Sequence, residues 1–429
     1  MHDGEPTHHT RPVPAAASAP GQDHPAPGRP APVRPVLALL TVSVCLLAGC
    51  STGASDAKSP AGDTAKTHTQ GAEALRLELH ATDGQEHVPV TVGGRVRVEG
   101  GTITQVSLST ADGRAVPGER APDQKSWAPS DDLKHGTTYR LTAAATGAGG
   151  HRTTRTVTFT TLAESDGFTS TYTPGNGSTV GVGMPVSLTF NKPITDKKAV
   201  ESAVEVSSDS GQTAVGHWFG GQRLDFRPQE YWKPRSTITV RIHLAGVKGA
   251  AHSYGEQDQT LRFKVGRSQV STVDASAHTM KVVRDGTTLR NIPITAGAAS
   301  SPTWNGQMVI SEKLISTRMN GATVGYAGQY DIPDVPHAMR LSTSGTFVHG
   351  NYWGNDSVFG HSNISHGCVG LNDTKGGADP GQDAAWFYDN SLIGDVVVVK
   401  NSHDKVIAPD NGLNGWNMPW SEWTAGSAR

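Results

Sequence analysis

Two stretches of this chain repeat one spacing. Pro129, Leu133, Gly136, Tyr139 and Leu141 follow one another at steps of four, three, three and two residues, and Pro228, Trp232, Arg235, Ile238 and Val240 repeat those steps about 99 residues later. Each copy then closes on an alternating run, Val157-Thr158-Phe159-Thr160 in the first and Leu261-Arg262-Phe263-Lys264-Val265 in the second. Alternation with period two marks strands that turn one face to a core. A hydrophobic content of 35% with 50 glycines suits a loop-rich, mainly β chain, and the length of 429 residues allows about three domains.

A unit of about 100 residues built from several short strands fits an immunoglobulin-like β-sandwich. Gly136-Thr137-Thr138-Tyr139 resembles the tyrosine corner of such folds, although antibody-type cysteines are absent. The boundaries fall at 74–162 and 163–266. Trp127, Trp218 and Trp232 read as core or sheet-edge aromatics rather than ligand platforms. The economical role for two such domains in series is spacing.

The third domain, 267–400, opens with strand-like Met280-Lys281-Val282-Val283 and Arg290-Asn291-Ile292-Pro293-Ile294 around the turn signal Asp285-Gly286. Further strands are expected at Gln307 to Ile310, Ala338 to Leu341, Thr346 to His349 and Asp395 to Lys400. One short amphipathic helix is expected from Gln382 to Asn390. The fold class is therefore mainly β, with few helices.

The amino-terminal region is read apart from the fold. Residues 1–33, rich in Pro, Ala and His, have no apolar period. Val36 to Leu47 is an apolar run preceded by Arg29 and Arg34, too short for an ordinary membrane span, and it reads as a secretory signal. Leu47-Ala48-Gly49-Cys50 resembles the lipobox of bacterial lipoproteins, which implies cleavage after residue 49 and lipidation of Cys50. Residues 1–49 are then leader and signal peptide, and 50–73, rich in Ser, Thr, Ala, Gly and Lys, is a flexible tether. The expected location is the outer face of the cytoplasmic membrane, reaching into the cell wall. A formal net charge of −2 without a long basic run argues against nucleic acid as a partner.

Cys45 leaves with the signal, so Cys368 is the one thiol expected to stay free, which excludes an intrachain disulfide framework. It sits in Ser365-His366-Gly367-Cys368-Val369, and His349 follows the apolar Thr346-Phe347-Val348. A thiol is mostly protonated at neutral pH, so a nucleophilic cysteine needs an imidazole or backbone dipoles nearby. Gly367 allows a tight turn, and N–H groups around Gly367 and Cys368 suit a developing oxyanion.

His349-Gly350 followed by Ser365-His366-Gly367-Cys368-Val369 resembles the signature of the L,D-transpeptidase (YkuD-like) catalytic domain. The order of lipobox, two immunoglobulin-like repeats, catalytic domain and Trp-rich tail is similar to actinobacterial members of that family. The resemblance implies 3→3 cross-linking of peptidoglycan stem peptides, donor tetrapeptide and acceptor stem, through an acylated Cys368, with His349 as base and the Gly350 backbone carbonyl orienting it. It implies no cofactor and no metal, and covalent inhibition by carbapenems. It also implies a mobile flap over about Lys313 to Val335, with Tyr330 and Met319 contacting substrate, Trp353 lining the pocket, and Ser365 and His366 shaping the loop or meeting substrate. Many relatives carry Arg two residues after the nucleophile. Gly370 stands there instead, so Asn372, Arg340 or Arg318 is left to meet a substrate carboxylate.

Three other readings remain open at this level: an L,D-carboxypeptidase using the same pair, a non-enzymatic wall-binding lipoprotein, and a zinc site from His349, His361, His366 and Cys368, for which no acidic second shell is evident. The extension 401–429 carries Trp416, Trp420 and Trp423. A row of exposed indoles is costly, so these are expected to pack back onto an immunoglobulin-like or the catalytic domain.

Overall fold

The computed structural model describes residues 74–429. The leader and signal expected over 1–49, and the tether expected over 50–73 with Cys50, lie outside the described residues.

The first sandwich joins Arg76–Leu79, Val96–Glu99, Ser126–Pro129 and Gly118–Arg120 in one sheet. Gln85–Val88, Arg152–Thr161, Thr138–Gly147 and Gly101–Thr110 form the other. Tyr139 pairs with Phe159 and Leu141 with Val157, so alternate positions of two neighbouring strands fill the core. Burying each such side chain contributes roughly 1.5–3 kcal/mol. The Tyr139 hydroxyl accepts a hydrogen bond from the Lys134 N–H at 3.0 Å, the contact that defines a tyrosine corner. The repeated spacing has a backbone cause as well. Gly136 and Arg235 occupy the same step of it and both take a positive φ, 58° and 64°. Each turn feeds a strand whose next two signature residues, Tyr139 and Leu141 or Ile238 and Val240, are buried.

The second sandwich sets Ser170–Thr173, Val186–Phe190, Arg223–Arg227 and Val215–Phe219 against Thr179–Val180, Asp258–Val265, Thr237–His243 and Val204–Ser208. Trp218 and Trp232 are buried in its core, and Trp127 in that of the first.

The third domain is one nine-stranded sheet. Its strands are β1 (Gln269–Asp274), β2 (Thr279–Arg284), β3 (Thr287–Thr295), β4 (Gly306–Val309), β5 (Glu312–Asn320), β6 (Asp331–Arg340), β7 (Phe347–Asn351), β8 (Val369–Asn372) and β9 (Val396–Lys400). They lie in the order β4-β9-β1-β2-β3-β8-β7-β6-β5. Helix α1 (Asp383–Asp389) buries Ala384, Ala385 and Phe387 and packs over β6, β7 and β8. The segment expected to be a mobile flap is an antiparallel hairpin, β5 with β6, which forms one edge of the sheet. Strand β5 buries none of its residues, so it leaves no apolar alternation to read.

The tail crosses back to the second sandwich. Trp416 and Trp423 are buried, and their indole N–H groups donate to Gly183 O (2.7 Å) and Val215 O (2.9 Å). His217 Nδ1–H donates to the Trp423 carbonyl at 2.9 Å, and the Arg227 guanidinium lies over the rings of Trp416, Trp420 and Trp423. Gly181 and Gly183 donate backbone hydrogen bonds to Ile393 and Gly394, where any Cβ would collide with Asp395 or Val396. Val309 of β4 and Trp416 thus join the core of the sandwich, so the third domain and its neighbour are packed as one body.

Candidate active site

The site forms where β7 and β8 run parallel. Val348 pairs with Val369, His349 with Gly370 and Gly350 with Leu371. Period-two alternation sends Val348, Val369 and Leu371 into the core, and leaves Phe347, His349, Cys368 and Gly370 on the face that borders a cavity of about 670 Å³. Gly370 opposite His349 carries no side chain, and a Cβ there would lie 2.8 Å from Thr295 Cγ2 and 3.5 Å from Asn351.

His349 is buried, and its Nδ1–H donates to the Gly350 carbonyl at 2.9 Å. That fixes the tautomer and leaves Nε2 as the free base. Burial lowers its pKa, with the Gly350 hydrogen bond and the charge of Asp373 acting in the opposite sense, so the ring is neutral at pH 7. The Trp353 ring stacks over it with centroids 5.7 Å apart.

Cys368 is the free cysteine among the described residues. Burial of the sulfur pushes its pKa up to about 11, against a smaller opposing effect of the Phe347 backbone. The thiol donates to the Gly345 carbonyl at 3.6 Å instead of to the His349 ring. A neutral S–H on the floor of a pocket takes the acceptor it can reach. Gly345, at φ 93°, also receives the tip of the β5–β6 hairpin, for a Cβ there would lie 2.5 Å from Val324 Cγ1.

The loop that carries Cys368 is held by Ser365. Its Oγ–H donates to the Cys368 carbonyl at 2.6 Å and its Oγ accepts the Gly367 N–H at 3.2 Å. Gly367 takes φ 109°, which favours glycine although a Cβ would meet nothing closer than 3.7 Å. Its amide, expected to face an oxyanion, is committed to Ser365 in this geometry, because the tight turn folds it back onto that hydroxyl.

Tyr330, Met319, Trp353, Ser365 and His366 all border the cavity. The His366 ring lies 5.0 Å from that of Tyr330 and 5.3 Å from that of Tyr326, which ties the hairpin to the Cys368 loop. Asn372 does not border it. Strand β8 carries it two residues past Gly370, where its amide lies 3.5 Å from Asp356 Oδ1. Arg340 and Arg318 do reach the cavity; the first is paired with Glu312 over the Phe347 ring, the second with Asp331. Gly345, Asp373 and the half-exposed Ile364 went unread in the sequence. Among the described residues no group of three or more His, Cys, Asp or Glu is arranged to hold a metal ion.

Comparison with known proteins joins these observations. A family model described as the L,D-transpeptidase catalytic domain (YkuD) matches residues 268–399, and one described as a bacterial Ig domain (Big_10) matches 85–248, across both sandwiches. L,D-transpeptidase 1 of Mycobacterium tuberculosis (strain H37Rv) is 31% identical over 229 residues, 53% of this chain and 82% of that protein. The chain belongs to the L,D-transpeptidase family. L,D-transpeptidase 2 of M. tuberculosis (strain CDC 1551 / Oshkosh) is 29% identical over 409 residues, 94% of this chain and 97% of its own length. Among solved structures, an LD transpeptidase in complex with imipenem is 30% identical, covers 55% of this chain and 99% of that one, and superposes with a TM-score of 0.46. In this L,D-transpeptidase Gly370 borders the cavity opposite His349, and the guanidinium groups that border it are those of Arg318 and Arg340.

Proposed function

We propose that this protein forms 3→3 cross-links in peptidoglycan through a Cys368 acyl-enzyme. One observation carries the reading. Cys368 and His349 share one cavity-facing side of adjacent parallel strands, with His349 Nδ1 engaged by Gly350 and Nε2 left as base.

Both partners rest neutral, so the proton moves as the bond forms. His349 Nε2 takes the Sγ proton while sulfur attacks the carbonyl carbon of the third-position diamino acid in the donor tetrapeptide. The oxyanion is met by the Cys368 amide, joined by the Gly367 amide once Ser365 releases it. The C–N bond to the terminal D-Ala then breaks, its nitrogen takes the proton from His349, and D-Ala departs. A side-chain amine of the acceptor stem attacks the thioester, passes its proton to His349, and the leaving sulfur recovers that proton. One amide is exchanged for another, without an oxidant or cofactor. Tyr330, Met319 and Trp353 position the stem, and Arg340 takes its carboxylate.

The protein acts from a lipid anchor at Cys50 on the outer face of the cytoplasmic membrane. The 50–73 tether and the two sandwiches carry the site into the wall. Metabolic fatty-acid labelling that persists in Cys50→Ala would remove the anchor from this account.

Incubation of the purified chain with disaccharide-tetrapeptide, followed by mass analysis, tests the reaction. Cross-linked dimer is the expected product. Tripeptide alone would make the enzyme a carboxypeptidase, and unchanged substrate would point to a wall-binding role.

A further inference from the structure

The acylation chemistry leaves one buried ionisable pair unused. Asp373 directly follows β8 and its side chain is 0% exposed. One carboxylate oxygen accepts from His337 Nδ1 at 2.7 Å, the other from the Thr374 N–H at 2.8 Å. His337 comes from β6, where it holds a φ of 49°, packed beside the Tyr388 ring and against Gly377, where a Cβ would lie 2.7 Å from its ring. A carboxylate removed from water is costly unless it is paired, and a histidine with positive φ is uncommon. Two unfavourable choices meet at one place.

That place is the back of Gly350. A Cβ on Gly350 would lie 2.1 Å from Asp373 Oδ2, so the carboxylate rests on the residue whose carbonyl holds the His349 Nδ1–H. Glycine is required there for this approach. Around His349, the other titratable groups are Cys368 and His366 in the nucleophile loop, Tyr330 at the start of β6, Arg340 on β6 and Arg318 on β5. None of the residues bordering the cavity is an Asp or Glu, which makes Asp373 the negative charge placed to act on the imidazole. Its field favours the protonated ring, opposing burial.

We propose that Asp373, held by His337, is a positioning residue for His349: packed on Gly350 from the opposite face of the sheet, it fixes the peptide whose carbonyl orients the imidazole and supplies the negative charge that steadies the imidazolium formed when Cys368 gives up its proton. The inference rests on the Cys368 and His349 reading above. It adds to the Gly350 carbonyl an acid that the linear motif does not contain.

The test uses the full chain and its Asp373→Asn variant, with two readouts: NMR titration of the His349 ring, and the pH profile of Cys368 acylation by imipenem. In Asp373→Asn the His349 midpoint moves down by about one pH unit and acylation slows about tenfold, at unchanged apparent imipenem affinity. His337→Leu, which removes the donor that aims the carboxylate, slows acylation in the same sense and serves if the first variant does not fold. An unmoved titration and an unchanged rate, with only a lower melting temperature, would reduce the pair to a structural tie and overturn the proposal. Failure of the wild-type chain to be acylated at Cys368 would instead remove the reading on which it rests.

Discussion

The Cys368 thiol gives its hydrogen bond to the carbonyl of Gly345, 3.6 Å away, and not to His349. With burial holding the thiol up to about 11 and the imidazole below its ordinary value, the resting pair is neutral rather than a thiolate–imidazolium pair. Iodoacetamide should therefore alkylate Cys368 more slowly than a free cysteine at pH 7, and the rate should climb toward pH 11 without an earlier plateau. A plateau reached by pH 7 would mean a preformed thiolate.

The same thiol links stability to pH. Because the folded thiol ionises above its unfolded counterpart, its contribution is complete below about pH 9 and is lost as the pH rises toward 11. Between those limits the wild type should lose up to about 2–3 kcal/mol relative to Cys368→Ala, read as denaturation midpoints at a series of pH values. Parallel curves for the two proteins would contradict a buried neutral thiol.

Gly367 separates backbone geometry from space. Alanine fits the room available but not the φ of 109°. Gly367→Ala should cost roughly 1–2 kcal/mol in stability while the acylation rate falls about 100-fold or more, since the oxyanion amides turn with the loop. Retained activity would show that the turn tolerates another path.

How much of this was legible in the sequence follows from where each signal lies. Cys368, His349 and the Gly350 carbonyl sit in two short contiguous motifs, and the repeated spacing around Tyr139 reports a local turn. Asp373 and Gly345 act only through the sheet, by contacts with residues that no linear pattern pairs with them. Strand β5 has no buried face, and β1 buries Gln269 and Ser271 beside Val273, with Gln269 bonded to Ser391 and Arg284, so neither shows apolar alternation. Periodicity reports burial of apolar residues, and these strands are held by other means. That the tail packs was readable from its indoles; that it lands on the second sandwich was not.

Trp423 tests that landing. It is fully buried and bonded at its ring nitrogen and its carbonyl. Trp423→Ala should destabilise the protein by about 3–5 kcal/mol, read by thermal or chemical denaturation. A loss below about 1 kcal/mol would mean that the tail is not part of the shared core.

The most direct measurement is the intact mass of the enzyme quenched during turnover of disaccharide-tetrapeptide, followed by peptide mapping. The account predicts an adduct equal to the donor less D-Ala, attached at Cys368 and missing from Cys368→Ala. An adduct on any other residue, or turnover that survives the loss of this sulfur, would contradict it.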